Sequence, residues 1–246
     1  MTAPVFHLII PGMMKSANVF IESAMQATLD CAFVRFANAQ QEIVPEKFDE
    51  FFALPRAVGG QHVRPTAHNL ALLKAHNVRR ICILLRDPRD AVISAWHHFE
   101  RPDIKADPRT NPLIAATRTN GLNYYDLRPE EKLRDLVMHL FPILQNWVAT
   151  WLEAAESIST LQCHINRYED FAVDQRGALR AMLEFFGHDV EPVLPAIGAT
   201  REAGIDTTTH FRRGQVGSYR DEAPPDLVRL LDEQLDRGLA ARMGWP

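Results

Sequence analysis

The sequence predicts an α/β fold: a central, mainly parallel sheet flanked by helices. Three observations support this. Residues 5–10 (VFHLII), 31–36 (CAFVRF), 80–85 (RICILL) and 159–165 (STLQCHI) are short runs rich in apolar residues, of a length suited to strands buried on both faces. Three of the four end in turn chemistry, at Pro11-Gly12, Arg86-Asp87-Pro88 and Asn166-Arg167-Tyr168. Stretches of helical periodicity separate the runs, giving the βα units that parallel pairing requires.

The helices follow in order. Residues 16–29 place Val19, Phe20, Ala24, Ala27 and Thr28 on roughly one face. Residues 66–75 open at Thr66, a good N-cap, with Leu70 and Leu73 on one side. Asp87 is an N-cap with Pro88 at the first helical position, and Val92, Ala95, Trp96 and Phe99 continue as one stripe. Residues 129–155 read as a long helix, broken or kinked at Pro142. Residues 175–186 are amphipathic and stop at Gly187, and residues 226–241 form a final helix. Residues 100–128 hold Pro102, Pro108, Pro112 and Gly121 without a steady period, which predicts a substrate loop or lid. No repeat or linker divides the chain, so residues 1–246 are expected to form a single domain.

Composition excludes several classes. Lys and Arg number 27 and Asp and Glu 31, for a net charge of -4. A general nucleic-acid binder needs a basic excess. A compact anion site survives this test, because a site is local and net charge is a sum. No run of about 18 apolar residues predicts a membrane span. The N-terminal residues lack a basic, then apolar, leader pattern, and a cytoplasmic location is expected. Cys31, Cys82 and Cys163 are widely spaced beside apolar runs and read as free thiols of a reducing compartment. There is no CxxC or HExxH, and the adjacent His97 and His98 cannot share a helical face, so no metal is predicted.

Three segments could gather an anion. After the first strand, Pro11-Gly12-Met13-Met14-Lys15-Ser16 turns into a helix, a geometry that aims backbone N–H groups and a cation at one place. It is not a Walker A loop, since only two residues separate Gly12 from Lys15. Taken alone it reads equally as a surface lysine at a helix start. Arg86 ends a buried strand, with Ser94 two turns into the next helix. A phosphate or carboxylate partner would account for that arginine, and so would an ion pair with Asp87 or Asp90. Arg212-Arg213-Gly214 is a basic loop whose glycine permits close approach to an anion, and it is also a common surface pattern.

In order, these segments resemble the sulfotransferases that use 3′-phosphoadenosine 5′-phosphosulfate (PAPS), both cytosolic and carbohydrate-directed. That family has a PKSGTTW-like loop, an RNPKDxxxS-like strand-to-helix segment and an RKGxxGDWK-like loop. Here they read MKSANVF, RDPRDAVIS and RRGQVGSYR, and Arg167-Tyr168-Glu169-Asp170-Phe171 is similar to its YED segment. The resemblance runs from Pro11 to Arg220 and implies the family's P-loop-like fold. This chain departs from the pattern at Ser16-Ala17-Asn18-Val19, which replaces SGTT, at Phe20, which replaces a tryptophan, and at Ser218-Tyr219, which replaces DW. The family's KxxxTVxxxE dimer segment is not recognisable, so the oligomeric state is open.

The resemblance also implies roles. Lys15 would stabilise the leaving 5′-phosphate, with Ser16, Ala17, Asn18 and Val19 completing that site. Arg86 and Ser94 would hold the 3′-phosphate, with Arg212, Arg213 and Gly214 closing over it. Phe20 and Tyr168 would contact adenine. The expected product is 3′,5′-ADP (PAP), with no metal involved. The catalytic set would be His62, Lys15 and Ser94. His62 in Gly60-Gln61-His62-Val63-Arg64-Pro65 fits the context of the family's base better than His68, which falls in the first turn of the next helix. The acceptor would be a small molecule or carbohydrate. Residues 100–128 are expected to shape its pocket, and Trp96, Phe99, Tyr124 and Tyr125 read equally as its aromatic lining or as core. An NTP-dependent small-molecule kinase and a non-catalytic nucleotide-binding module are the alternatives on the same fold.

Overall fold

The structure is a computed structural model that describes residues 5–102, 124–195 and 215–246. Arg212, Arg213, Gly214 and most of the predicted loop 100–128 lie outside the described residues. The strands are β1 (Phe6–Pro11), β2 (Ala32–Val34), β3 (Arg56–Gln61), β4 (Arg80–Leu85) and β5 (Gln162–Arg167). The helices are α1 (Asn18–Leu29), α2 (Pro45–Ala53), α3 (Ala67–Ala75), α4 (Pro88–Phe99), α5 (Pro129–Ser157), α6 (Tyr168–Val173), α7 (Gln175–Phe186), α8 (Tyr219–Glu222), α9 (Pro225–Gln234) and α10 (Arg237–Met243). A 3-10 turn covers Tyr124–Asp126. Two compact units result. One contains residues 5–85 and 150–195, the other residues 86–102, 124–149 and 215–246.

The first unit carries all five strands, and every strand pair is parallel. One sheet runs β1-β3-β2, with Ile10 opposite Gly60 and Pro11 opposite Gln61. The other pairs β4 with β5, from Arg80 opposite Gln162 to Leu85 opposite Arg167. A parallel bridge joins Gly12 to Leu84, and the Met13 N–H donates to the Leu84 carbonyl at 2.9 Å, so the carboxyl ends of β1 and β4 lie side by side. After Arg80, every residue of β4 is buried, as expected for a parallel strand covered on both faces. The core gathers Leu8, Ile10, Ile21, Met25, Val58, Leu84, Leu179 and Leu183. Burying each large side chain contributes about 1.5–3 kcal/mol before ordering entropy is subtracted.

β3 was not among the expected strands, because Gly59-Gly60 breaks its apolar pattern. The structure gives the reason for the glycines. A Cβ on Gly59 would fall 2.7 Å from the Val34 carbonyl oxygen, and one on Gly60 would fall 2.2 Å from that of Ile10. α2 was also unexpected. Pro45 opens it, and the buried Phe48 and Phe51 pack on Phe36 with ring centroids 4.8 and 5.2 Å apart.

Other boundaries follow local chemistry. Thr66 caps α3 by accepting from the Asn69 N–H, and Asp87 caps α4 by accepting from the Arg89 N–H. α7 ends at Gly187 in the left-handed region (φ 89°). Two expectations are corrected in part. α5 continues through Pro142 instead of breaking there; that residue is exposed, so its ring and the bond it removes fall on the solvent side. The expected helix 226–241 is two helices, since Asp236 caps α10 by accepting from the Leu239 N–H at 2.7 Å. Gln145 clamps the break, donating to the Gln234 carbonyl and accepting from the Asp236 N–H. The three cysteines are free. Among the described residues, no helix is long and apolar enough to cross a membrane.

The packing of β3 against β1 yields a stability prediction. Gly60→Ala should lower unfolding free energy by about 2–4 kcal/mol in urea denaturation, because its Cβ meets backbone that cannot rotate away. An unchanged midpoint would show that β3 does not need that close approach.

Candidate active site

In the first unit, the turn after β1 builds a compact loop. Lys15 (φ 69°) and Ala17 (φ 66°) both take the left-handed conformation, which delays α1 to Asn18, two residues later than its periodicity suggests. Buried Ser16 braces the turn, with its hydroxyl 2.6 Å from the Met13 carbonyl and 3.1 Å from Asn18 Oδ1. Asn18 Nδ2 donates back to the Met13 carbonyl at 2.9 Å. Gly12 leaves room for the Asn18 side chain in this position, since a Cβ there would stand 1.8 Å from Asn18 Oδ1. The described contacts of the Asn18 side chain brace the loop.

Among the described residues, no side chain caps α1, whose N-cap residue is Ala17. The first-turn N–H groups, including those of Asn18, Val19 and Phe20, thus present donors and the positive end of the helix dipole beside Lys15. These residues fit an anionic phosphate.

His62 follows the carboxyl end of β3. It is half-buried, and its Nδ1 lies 2.8 Å from the Gly12 carbonyl. A carbonyl can only accept, so Nδ1 carries the hydrogen and the neutral ring keeps a lone pair on Nε2. Burial holds the imidazole below its ordinary pKa; the Gly12 bond opposes this, and the charges of Lys15 and Arg35 push in the same direction as burial. The segment after His62 is rigidly held. Trp151 Nε1 donates to the Val63 carbonyl at 2.9 Å, and buried Asn69 donates to the Gln41 and Arg64 carbonyls while accepting from the Ile43 N–H. His68 is exposed on α3, with Nε2 bonded to the Ile43 carbonyl.

Phe20 and Tyr168 come to the same neighbourhood, each packed near Phe171, with ring centroids 5.5 and 6.4 Å from it. Phe20 is half-buried and Tyr168 is buried at the start of α6. Sequence reasoning missed Glu22, a buried carboxyl on α1 one turn beyond Asn18. Burial raises its pKa to about 8, against the lowering effect of Arg35. A lone Glu in an apolar stretch was the available signal.

In the second unit, Arg86 is buried and its Nη2 donates to the Gln215 carbonyl at 3.3 Å. Ser94 is half-buried on α4. The two carboxylates first considered as partners of Arg86 have other bonds. Asp87 binds buried Arg89, with Nη2 to Oδ2 at 2.7 Å, and Asp90 accepts from the Gly217 N–H at 2.6 Å and the Tyr219 N–H at 3.0 Å. Arg89 also reaches Asp232 at 2.6 Å and lies over the Tyr219 ring. Of the aromatic residues considered for an acceptor pocket, Phe99 and Tyr124 are core, packed edge-to-face at 5.9 Å. His97 is bonded to Glu222 at 2.6 Å. Among the described residues, no group of three His, Cys, Asp or Glu could hold a metal ion.

Comparison with known proteins gives a consistent picture. A family profile described as "Sulfotransferase domain" matches residues 55–243, which leaves the Lys15 loop ahead of the matched span. No curated protein sequence matches the chain. A mouse sulfotransferase solved with PAP is similar in fold at TM-score 0.64 and 15% identity, over 100% of this chain and 91% of that one. A sulfotransferase from Alicyclobacillus acidocaldarius gives 0.53 and 16%, over 100% and 98%. A retinol dehydratase solved with androsterone and inactive cofactor PAP gives 0.52 and 12%, over 95% and 80%.

The environment of His62 has a direct readout. An NMR titration should place its midpoint below the ordinary histidine value of about 6.5, because burial and two nearby cations all disfavour the imidazolium. Arg35→Gln should move the midpoint upward by removing one of those cations. A midpoint above the ordinary value, or a downward move in the variant, would contradict this electrostatic account.

Proposed function

The chain belongs to the sulfotransferase family, and from that premise we propose that it moves a sulfuryl group from PAPS to a hydroxyl or amine of a small-molecule or carbohydrate acceptor. The observation that carries the reading is the bond from His62 Nδ1 to the Gly12 carbonyl. It selects the tautomer with a free Nε2 and ties that ring to the glycine that begins the Lys15 turn.

His62 Nε2 accepts the acceptor's proton as its oxygen or nitrogen attacks sulfur. The new O–S or N–S bond forms as the bond from sulfur to the bridging phosphate oxygen breaks. The electron pair goes to the phosphate, which leaves as PAP. Lys15 stabilises that developing charge, and the N–H groups at the start of α1, from Ser16 to Phe20, hold the 5′-phosphate in place. Neutral His62 is the competent form, and its depressed pKa widens the pH range over which it can act. On the family pattern, Arg86 and Ser94 serve the 3′-phosphate together with Arg212, Arg213 and Gly214, while Phe20 and Tyr168 serve adenine. Cationic side chains supply the charge, with no metal in the scheme.

The 246 residues act as one catalytic domain, with residues 100–128 shaping the acceptor site. A small-molecule acceptor agrees with the retinol dehydratase neighbour, which was solved with androsterone. No nucleic-acid partner is proposed for a chain of net charge -4. Three free cysteines suit a cytoplasmic setting.

Two experiments test the reading. His62→Gln should lower turnover by at least about 100-fold while PAP binding persists, and Lys15→Met should lower kcat by about 100- to 1,000-fold. Full activity in the His62 variant would remove it as the base. In thermal shift measurements, 3′,5′-ADP should stabilise the protein more than ATP with Mg²⁺. The reverse order would favour a kinase, and binding without turnover on any acceptor would favour a non-catalytic module.

A further inference from the structure

Asp90 lies in the first turn of α4, four residues beyond Arg86, and is wholly buried. Its carboxyl takes three donors from one short segment. The Gly217 N–H reaches Oδ2 at 2.6 Å, and the Tyr219 N–H and the Ser218 hydroxyl reach Oδ1 at 3.0 and 3.3 Å. Gly217 makes this possible, since its φ of 78° turns consecutive donors toward one carboxyl. Hydrogen bonds in a water-excluded setting are directional, so they fix the positions of the groups they join.

The same segment meets Arg86. Gln215, two residues before Gly217, accepts from Arg86 Nη2 at 3.3 Å. At the other end, the Tyr219 hydroxyl donates to Asp232 Oδ1 at 2.9 Å, and Asp232 also accepts from Arg89 at 2.6 Å. Arg89 is itself held by Asp87, the N-cap of α4. Both the strand-to-helix turn bearing Arg86 and the chain just after Arg212-Arg213-Gly214 are therefore anchored to the first turn of α4.

We propose that Asp90 is a positioning residue for nucleotide recognition: through Gly217–Tyr219 and the Gln215 carbonyl it sets the direction of the Arg86 guanidinium toward the 3′-phosphate. This rests on the reading of Arg86 as a 3′-phosphate ligand. The Asp90 carboxyl is engaged by three protein donors and acts through the segment they hold. Its effect should thus appear in discrimination between nucleotides with and without that phosphate. Asp90→Asn keeps the size of the side chain but sets an amide against N–H donors, so the segment must shift.

The test compares 3′,5′-ADP and 5′-AMP by calorimetric titration of the full chain. Asp90→Asn should weaken 3′,5′-ADP binding about 10-fold and 5′-AMP binding less than about 2-fold, with KM for PAPS rising more than kcat falls. Equal weakening of both nucleotides, or no weakening of either, overturns the proposal, since a purely structural loss does not distinguish them. Arg86→Gln is measured alongside. If it leaves the ratio of the two affinities unchanged, the underlying reading of Arg86 fails, a result distinct from failure of Asp90 alone. Should Asp90→Asn not fold, Gly217→Ala strains the same turn and must reduce the ratio in the same direction. An unchanged ratio there overturns the proposal.

Discussion

The close approach of β3 to β1 at their carboxyl ends is the constraint on which the first unit depends. Gly60 permits it, because any side chain there would enter the Ile10 carbonyl. With the two strands in that register, His62 arrives beside Gly12 and donates its Nδ1 hydrogen to the Gly12 carbonyl. Gly12 in turn leaves room for the Asn18 side chain, which with Ser16 braces the turn that carries Lys15. One backbone contact thus places an imidazole and a cation in the same electrostatic neighbourhood, and the pKa of the imidazole responds to that cation.

The second unit uses a different device. Its polar interior is organised by carboxylates at the start of α4. Asp87 caps the helix and holds Arg89, and Asp90 gathers the Gly217–Tyr219 segment. A carboxylate at a helix N-terminus interacts favourably with the helix dipole, so both residues are well placed for that role. The arrangement also accounts for the sequence pattern RDPRD. The second arginine of the motif is structural, while the first reaches the Gln215 carbonyl. Charge identity alone does not separate two arginines three residues apart; their partners do.

Much of the fold was legible in the sequence. β4 matched its apolar run, Thr66 and Asp87 capped as expected, and Gly187 ended α7. These features rest on local chemistry: hydrophobic runs, capping oxygens and a residue that tolerates positive φ. Features fixed by contacts distant in sequence were missed. β3 was obscured by glycines needed for packing, α2 by a short apolar face that only Phe36 explains, and the break between α9 and α10 by Gln145, some 90 residues earlier in the chain.

The candidate site divides along the same line. The sequence by itself offered candidate residue types for the proposed phosphosulfate site: a lysine in a strand-to-helix turn, a strand-end arginine, and a histidine after a glycine pair. It also pointed to the family that the profile match over residues 55–243 shows. The tertiary structure decided what each residue is bonded to. It turned Asn18 inward as a brace, chose the tautomer of His62, buried Glu22 on the helix face near the loop, and drew three donors onto Asp90. Hydrogen-bond direction and desolvation depend on atoms brought together from distant parts of the chain, and only folding supplies those neighbours.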